Sequence, residues 1–120
     1  MKKILLGLVL FGIVTISYAD QQKVATQTSI NEFKEQYCEA VLSMSKVIMK
    51  GKQSGIPIDR ALSLIKDEKG SENIFTETNK LIVLDAYDQP NFSSEKYKNE
   101  QLNDFTAKQY ISCMKAAGLF

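Results

Sequence analysis

Ile30-Asn31-Glu32-Phe33-Lys34-Glu35-Gln36-Tyr37-Cys38-Glu39-Ala40-Val41-Leu42-Ser43-Met44-Ser45-Lys46-Val47-Ile48-Met49-Lys50 is the stretch whose reading decides the fold. Phe33, Tyr37, Val41, Met44 and Ile48 recur at spacings of four, four, three and four, which stacks them on one face of a helix. Cys38, Leu42, Ser45 and Met49 form a second row beside the first. A stripe this wide needs partners on more than one side, as does a central helix of a bundle. Ser29-Ile30-Asn31-Glu32 matches a capping box, so the predicted helix runs from Ser29 to about Lys50.

Working outward toward the N-terminus, Asp20 to Thr28 is polar and reads as a flexible leader. Before it come a basic start (Met1-Lys2-Lys3), an apolar run from Ile4 to Ile16, and the small-x-small triplet Ser17-Tyr18-Ala19. That order is a secretory signal peptide over residues 1–19, cut between Ala19 and Asp20. The alternative is an uncleaved anchor, but the run is shorter than the roughly 20 apolar residues that span a bilayer. No stable membrane insertion is expected after cleavage. Removing Lys2 and Lys3 from the 15 basic residues leaves 13 against 14 acidic ones, a net charge of −1. So even a balance offers phosphate backbones no electrostatic hold, and no nucleic-acid partner is expected.

Cys38 and Cys113 are the chain's two cysteines. In an exported chain they most simply form one disulfide joining the first and last helices. The rival reading is two thiols, one of them reactive; it lacks a Cys-x-x-Cys spacing and any neighbouring histidine. A cleaved domain of about 100 residues buries only a modest core, so a covalent staple matters to it.

Toward the C-terminus, Gly51 and Gly55 bracket a stop, and Pro57 restarts the chain into a short second helix ending near Lys66. Ile58, Ala61, Leu62 and Ile65 mark its inner face. A charged turn, Asp67 to Ser71, precedes a third helix from about Glu72 to Tyr87. Ile74, Phe75, Thr78, Leu81, Ile82 and Leu84 are its apolar part; Leu81 to Leu84 alone also suits a strand. Pro90 breaks the pattern, and Ser93 or Ser94 caps a fourth helix running to about Ala117. Its inner face is expected at Leu102, Phe105, Gln109, Cys113 and Ala116. Residues 29–120 therefore read as one all-α, four-helix bundle-like domain.

Chemistry is sparse. The chain has no histidine, which removes the Ser-His-Asp and Cys-His routes and the commonest metal ligand. Arg60 is the single arginine and follows Asp59 in the second helix, where it reads as a surface ion pair or a recognition group. Asp85 and Asp88 share a helix face near Tyr87 and are the candidates for a carboxylate-based hydrolase of envelope polymers. Asp67, Glu68, Glu72 and Asn73 surround Gly70 without the alternating acids of a calcium loop. No catalytic residue, metal or cofactor is assigned. In Pro90-Asn91-Phe92 a large ring sits in a polar loop, and is expected to tuck under rather than reach out. Tyr87, Pro90 and Phe92, with Arg60, Lys52 and Gln53, form the candidate binding surface.

The segments Ile48-Met49-Lys50-Gly51-Lys52-Gln53-Ser54-Gly55-Ile56-Pro57 and Ala86-Tyr87-Asp88-Gln89-Pro90-Asn91-Phe92, together with Cys113, resemble a family of small exported helical proteins of proteobacteria and their prophages. Its members carry an early and a late cysteine and have no established activity. This chain departs at Lys52, where arginine is usual. The resemblance implies export, helices and the disulfide. The resulting expectation is a non-enzymatic periplasmic interaction protein (an inhibitor, immunity or accessory factor) whose partner is another envelope protein; the alternative is a structural protein without a specific partner.

N-terminal sequencing of the exported protein should begin at Asp20. A chain still beginning at Met1 would contradict the cleavage assignment.

Overall fold

The computed structural model describes residues 18–66 and 74–120. The fold is all-helical: the described residues form α1 (Tyr18–Gln53), α2 (Ile58–Leu64), α3 (Ile74–Tyr87) and α4 (Glu95–Ala116), and no strand. Most of the expected signal peptide, and the acidic turn around Gly70, lie outside the described residues. Ala19 and Asp20 fall in the first turn of α1.

The first helix begins well before Ser29, so the leader over residues 20–28 is helical, and it is exposed over residues 21–28. No glycine or proline interrupts it, and its hydroxyls fold back on the helix. Thr26 Oγ1 donates to Gln22 O at 2.8 Å, Thr28 Oγ1 to Val24 O at 3.0 Å and Ser29 Oγ to Ala25 O at 3.1 Å. Ser29 thus spends its hydroxyl inside a helix rather than capping one. At the other end α1 runs past Lys50 to Gln53. Gly55, at φ +88°, is the residue beyond the cap: its N–H reaches Lys52 O at 2.9 Å while Ile56 N–H reaches Gly51 O at 3.0 Å. That double closure needs a left-handed residue, which glycine supplies at least cost. Gly118, at φ +72°, closes α4 in the same way.

The core is Cys38, Val41, Ile48 and Met49 of α1, Ile82, Val83 and Ala86 of α3, and Phe105 of α4. Tyr37, Met44, Ala61, Leu62, Ile65 and Leu102 pack around it half-buried. α1 is the central helix, contacting each of the other three. Cys38 and Cys113 are bonded, with Cα atoms 5.6 Å apart. Gln53 meets Lys98 and Gln101 at the opposite end of the pair, so α4 runs antiparallel to α1.

Six expected core positions are exposed instead: Phe33, Ile58, Phe75, Leu81, Leu84 and Ala116. Phe33 is 64 % exposed, because α3 meets α1 at Tyr37 and α4 at Cys38, one turn further on. Leu81 and Leu84 face outward, while Val83, Ala86 and Thr76 take the inner face of α3. On α4, Ala116 is exposed and Gln101 and Thr106 are buried. Helical period identifies a stripe; the ends of the neighbouring helices decide how much of it is covered.

The bridge spans a sequence separation of 75 residues, and closing such a loop in the unfolded chain is worth about 4.5 kcal/mol at most. Urea unfolding of Cys38→Ser/Cys113→Ser should show a loss of about 2–4.5 kcal/mol relative to the oxidised protein. A loss below about 1 kcal/mol would show that the bundle stands without its staple.

Candidate binding surface at the Pro90 loop

The loop after α3 is built by its breaker. Pro90 cannot continue a helix, and α3 closes with Asp88 N–H on Leu84 O (3.1 Å) and Gln89 N–H on Ala86 O (3.2 Å). This leaves carbonyls pointing into the molecule, and α1 answers them. Lys52, only 8 % exposed, donates its ammonium to Gln89 O and, at 3.1 Å, to Pro90 O. Gln101 Nε2 donates to Pro90 O at 2.7 Å. Gln53 Nε2 in turn donates to Gln101 Oε1 at 3.0 Å and to Lys98 O at 2.8 Å. Two side chains, one from each helix, therefore hold the loop by its backbone, and Gln53 braces one of them.

Above this clamp Phe92 remains exposed rather than tucked under. Its ring leans on Tyr97, the centroids 5.8 Å apart. Tyr97 is placed by the start of α4, where its N–H donates to the N-cap Ser94 Oγ at 3.3 Å. On one side of Phe92 lies a hollow of about 320 Å³ bordered by Pro90, Tyr97, Glu100, Asp104 and Phe105. A smaller one, of about 220 Å³, lies on the other side, bordered by Lys52, Gln53, Asn91 and Lys98.

The expected surface residues separate into two groups. Pro90 and Phe92 are exposed on the loop. Lys52 and Gln53 lie beneath it as its supports, and their polar groups are engaged within the chain. Tyr87 does not line either hollow at the loop: its hydroxyl donates to Ile56 O, tying α3 to the turn after α1, and burial raises its pKa. It borders a separate apolar hollow of about 330 Å³ with Met44, Val47, Leu64 and Ile65. Arg60 stands exposed on α2, which packs chiefly on α3 and α1, and is not brought to the loop. Asp85 accepts from Gln109 Nε2 of α4 at 2.9 Å, and Asp88 lies exposed beyond the end of α3. Among the described residues no cluster of three metal-ligating side chains forms.

Gln101 and Tyr97 were not singled out by sequence reasoning as functional. Gln101 carries a usable signal, since it lies one turn before Phe105 and shares its inward face. Comparison with protein-family models, with curated proteins and with solved structures finds no match.

Burying the Lys52 ammonium strips its water and lowers its pKa below the ordinary lysine value. The unfolded chain keeps that proton to higher pH, so stability rises with pH from the lowered value toward about 10.4. Lys52→Met should cost about 1–3 kcal/mol at neutral pH by stranding the Gln89 carbonyl and leaving Pro90 O to Gln101 alone, and its deficit should grow toward that limit. Lys52→Arg, with a fork able to reach both oxygens, should stay close to wild type. Equal stability of Lys52→Met and wild type in urea would remove the clamp.

Proposed function

We propose that this chain is a small exported, non-enzymatic interaction protein of the cell envelope, of the inhibitor, immunity or accessory kind. It engages another periplasmic protein through the Pro90 loop and the first turns of α4. One observation carries this reading: Phe92 is 38 % exposed on a loop whose backbone is clamped from below by Lys52 and Gln101. An exposed aromatic ring on a mobile loop would lose side-chain and backbone freedom on binding. A ring already positioned loses much less, so more of its burial appears as affinity. Aromatic anchors of this type dominate binding energy where they are fully covered.

Two structural facts agree with an exported protein. The Cys38–Cys113 bridge fits an oxidising compartment, and no described helix is long and apolar enough to cross a membrane. The periplasm is the compartment this reading requires, reached through the expected signal peptide.

Site-specific photocrosslinking tests the reading in cells. A benzophenone amino acid in place of Phe92 should form one discrete adduct with an envelope protein. The same group in place of the exposed Lys46 of α1 should form none, and Tyr97→Ala should weaken capture at least fivefold. Equal adducts from both positions, or none from Phe92, would contradict it.

A further inference from the structure

We infer that the hollow between Phe92 and α4 receives a guanidinium group, so that the partner presents an arginine to this surface. The inference rests on the interaction reading above and specifies its chemistry. The hollow, about 320 Å³, has Pro90, Phe92 and Tyr97 as apolar walls and Phe105, 5 % exposed, as its floor. Glu100 and Asp104 line the same hollow from successive turns of α4, three and seven residues beyond Tyr97. Both are exposed, and neither has an ion-pair or hydrogen-bond partner among the described residues.

The pairing of these features selects the occupant. An apolar group covering Phe92 and Tyr97 would also strip water from two unpaired carboxylates, a penalty it has no means to offset. An anion would add repulsion. A cation offsets that desolvation directly and gains attraction from the ring faces as well. Tyr97 already takes part in such a contact within the chain, since the Lys96 ammonium lies 5.7 Å from its ring centroid. Among the described residues Lys108, one turn beyond Asp104, is the one cation that lines the hollow itself, and Lys96 lies over the Tyr97 ring outside the lining, so the two carboxylates are the charges that face the space. Between the two biological cations, guanidinium fits better. Side chains four apart on a helix are about 5–6 Å apart at Cβ, a spacing that a planar fork bridges while its face lies on a ring. An ammonium satisfies one carboxylate at a time.

The test uses the oxidised mature protein and N-acetyl-arginine amide as probe, followed by NMR. Shifts should concentrate at Phe92, Tyr97, Glu100 and Asp104. N-acetyl-lysine amide should bind at least threefold more weakly, and Glu100→Gln/Asp104→Asn at least fivefold more weakly than wild type. These substitutions are exposed and isosteric, so the folded spectrum should otherwise persist. Equal binding of the lysine probe, shifts spread over the surface, or an unaffected double variant would each overturn the assignment. Crosslinking keeps the two proposals apart. A Phe92 adduct that survives unweakened in Glu100→Gln/Asp104→Asn discards the arginine and keeps the interaction surface. An absent adduct in the wild-type background discards the surface itself.

Discussion

Two fastenings hold α4 along α1, and everything else in the molecule is arranged around them. At one end Cys38 is bonded to Cys113; at the other Gln53 donates to Gln101 and to the carbonyl of Lys98. The two α1 residues are 15 positions apart, so the fastenings are separated by about 22 Å of helix. One is covalent and acts mainly by restricting the unfolded chain. The other is a set of hydrogen bonds whose net worth is modest but which leaves buried amides unpaired if the register slips. Together they fix both the direction and the register of the helix pair. The side of α1 left over receives α3, and the seven-residue α2 covers the remainder without a fully buried residue of its own.

The candidate surface is a consequence of that register. With α4 in place, Gln101 arrives beside Pro90 O, and the last turn of α1 delivers Lys52 to the same loop. A buried lysine is a costly support, since desolvation opposes its charge. The chain accepts that cost where carbonyls freed by Pro90 would otherwise be unmet, and the result is a loop held by its backbone with its aromatic side chain left outside. Tyr87 performs the corresponding service on the far side, fastening α3 to the turn at Ile56. The loop carbonyls are thus met from underneath, which leaves its outer face free for the recognition role proposed above.

Much of this architecture was legible in the residues. The stripe through Tyr37, Val41, Met44 and Ile48 marked α1 as central, and Cys38 marked the side on which the last helix lies. Ser94 and Gly118 marked the ends of α4. What failed did so for definable reasons. Phe33 belongs to the periodic stripe, but it lies a turn before Tyr37 and Cys38, where α3 and α4 are fastened to α1, and periodicity carries no information about where a partner covers the stripe. Lys52 and Gln53 read as surface in the sequence because such side chains usually are. Lys52 is drawn in by the Gln89 and Pro90 carbonyls, 37 and 38 positions further on, and Gln53 by Lys98 and Gln101, 45 and 48 further on, which are non-local facts. Phe92 reaches out where its apolar ring favours tucking under, because Tyr97, standing on the first turn of α4, gives it something to lean on outside the core.

The register of α1 against α4 at the Gln53 end is the point on which the fold and the surface both depend. It is read most directly from the Gln53 and Gln101 side-chain amides in NOE and hydrogen-exchange spectra of the oxidised protein. The account requires contacts between the Gln53 amide protons and Gln101, with exchange slowed well below that of the exposed Gln22 side chain. Fast exchange at Gln53 without any contact to α4 would mean that the helices are not joined there, and that the Pro90 loop lacks its support.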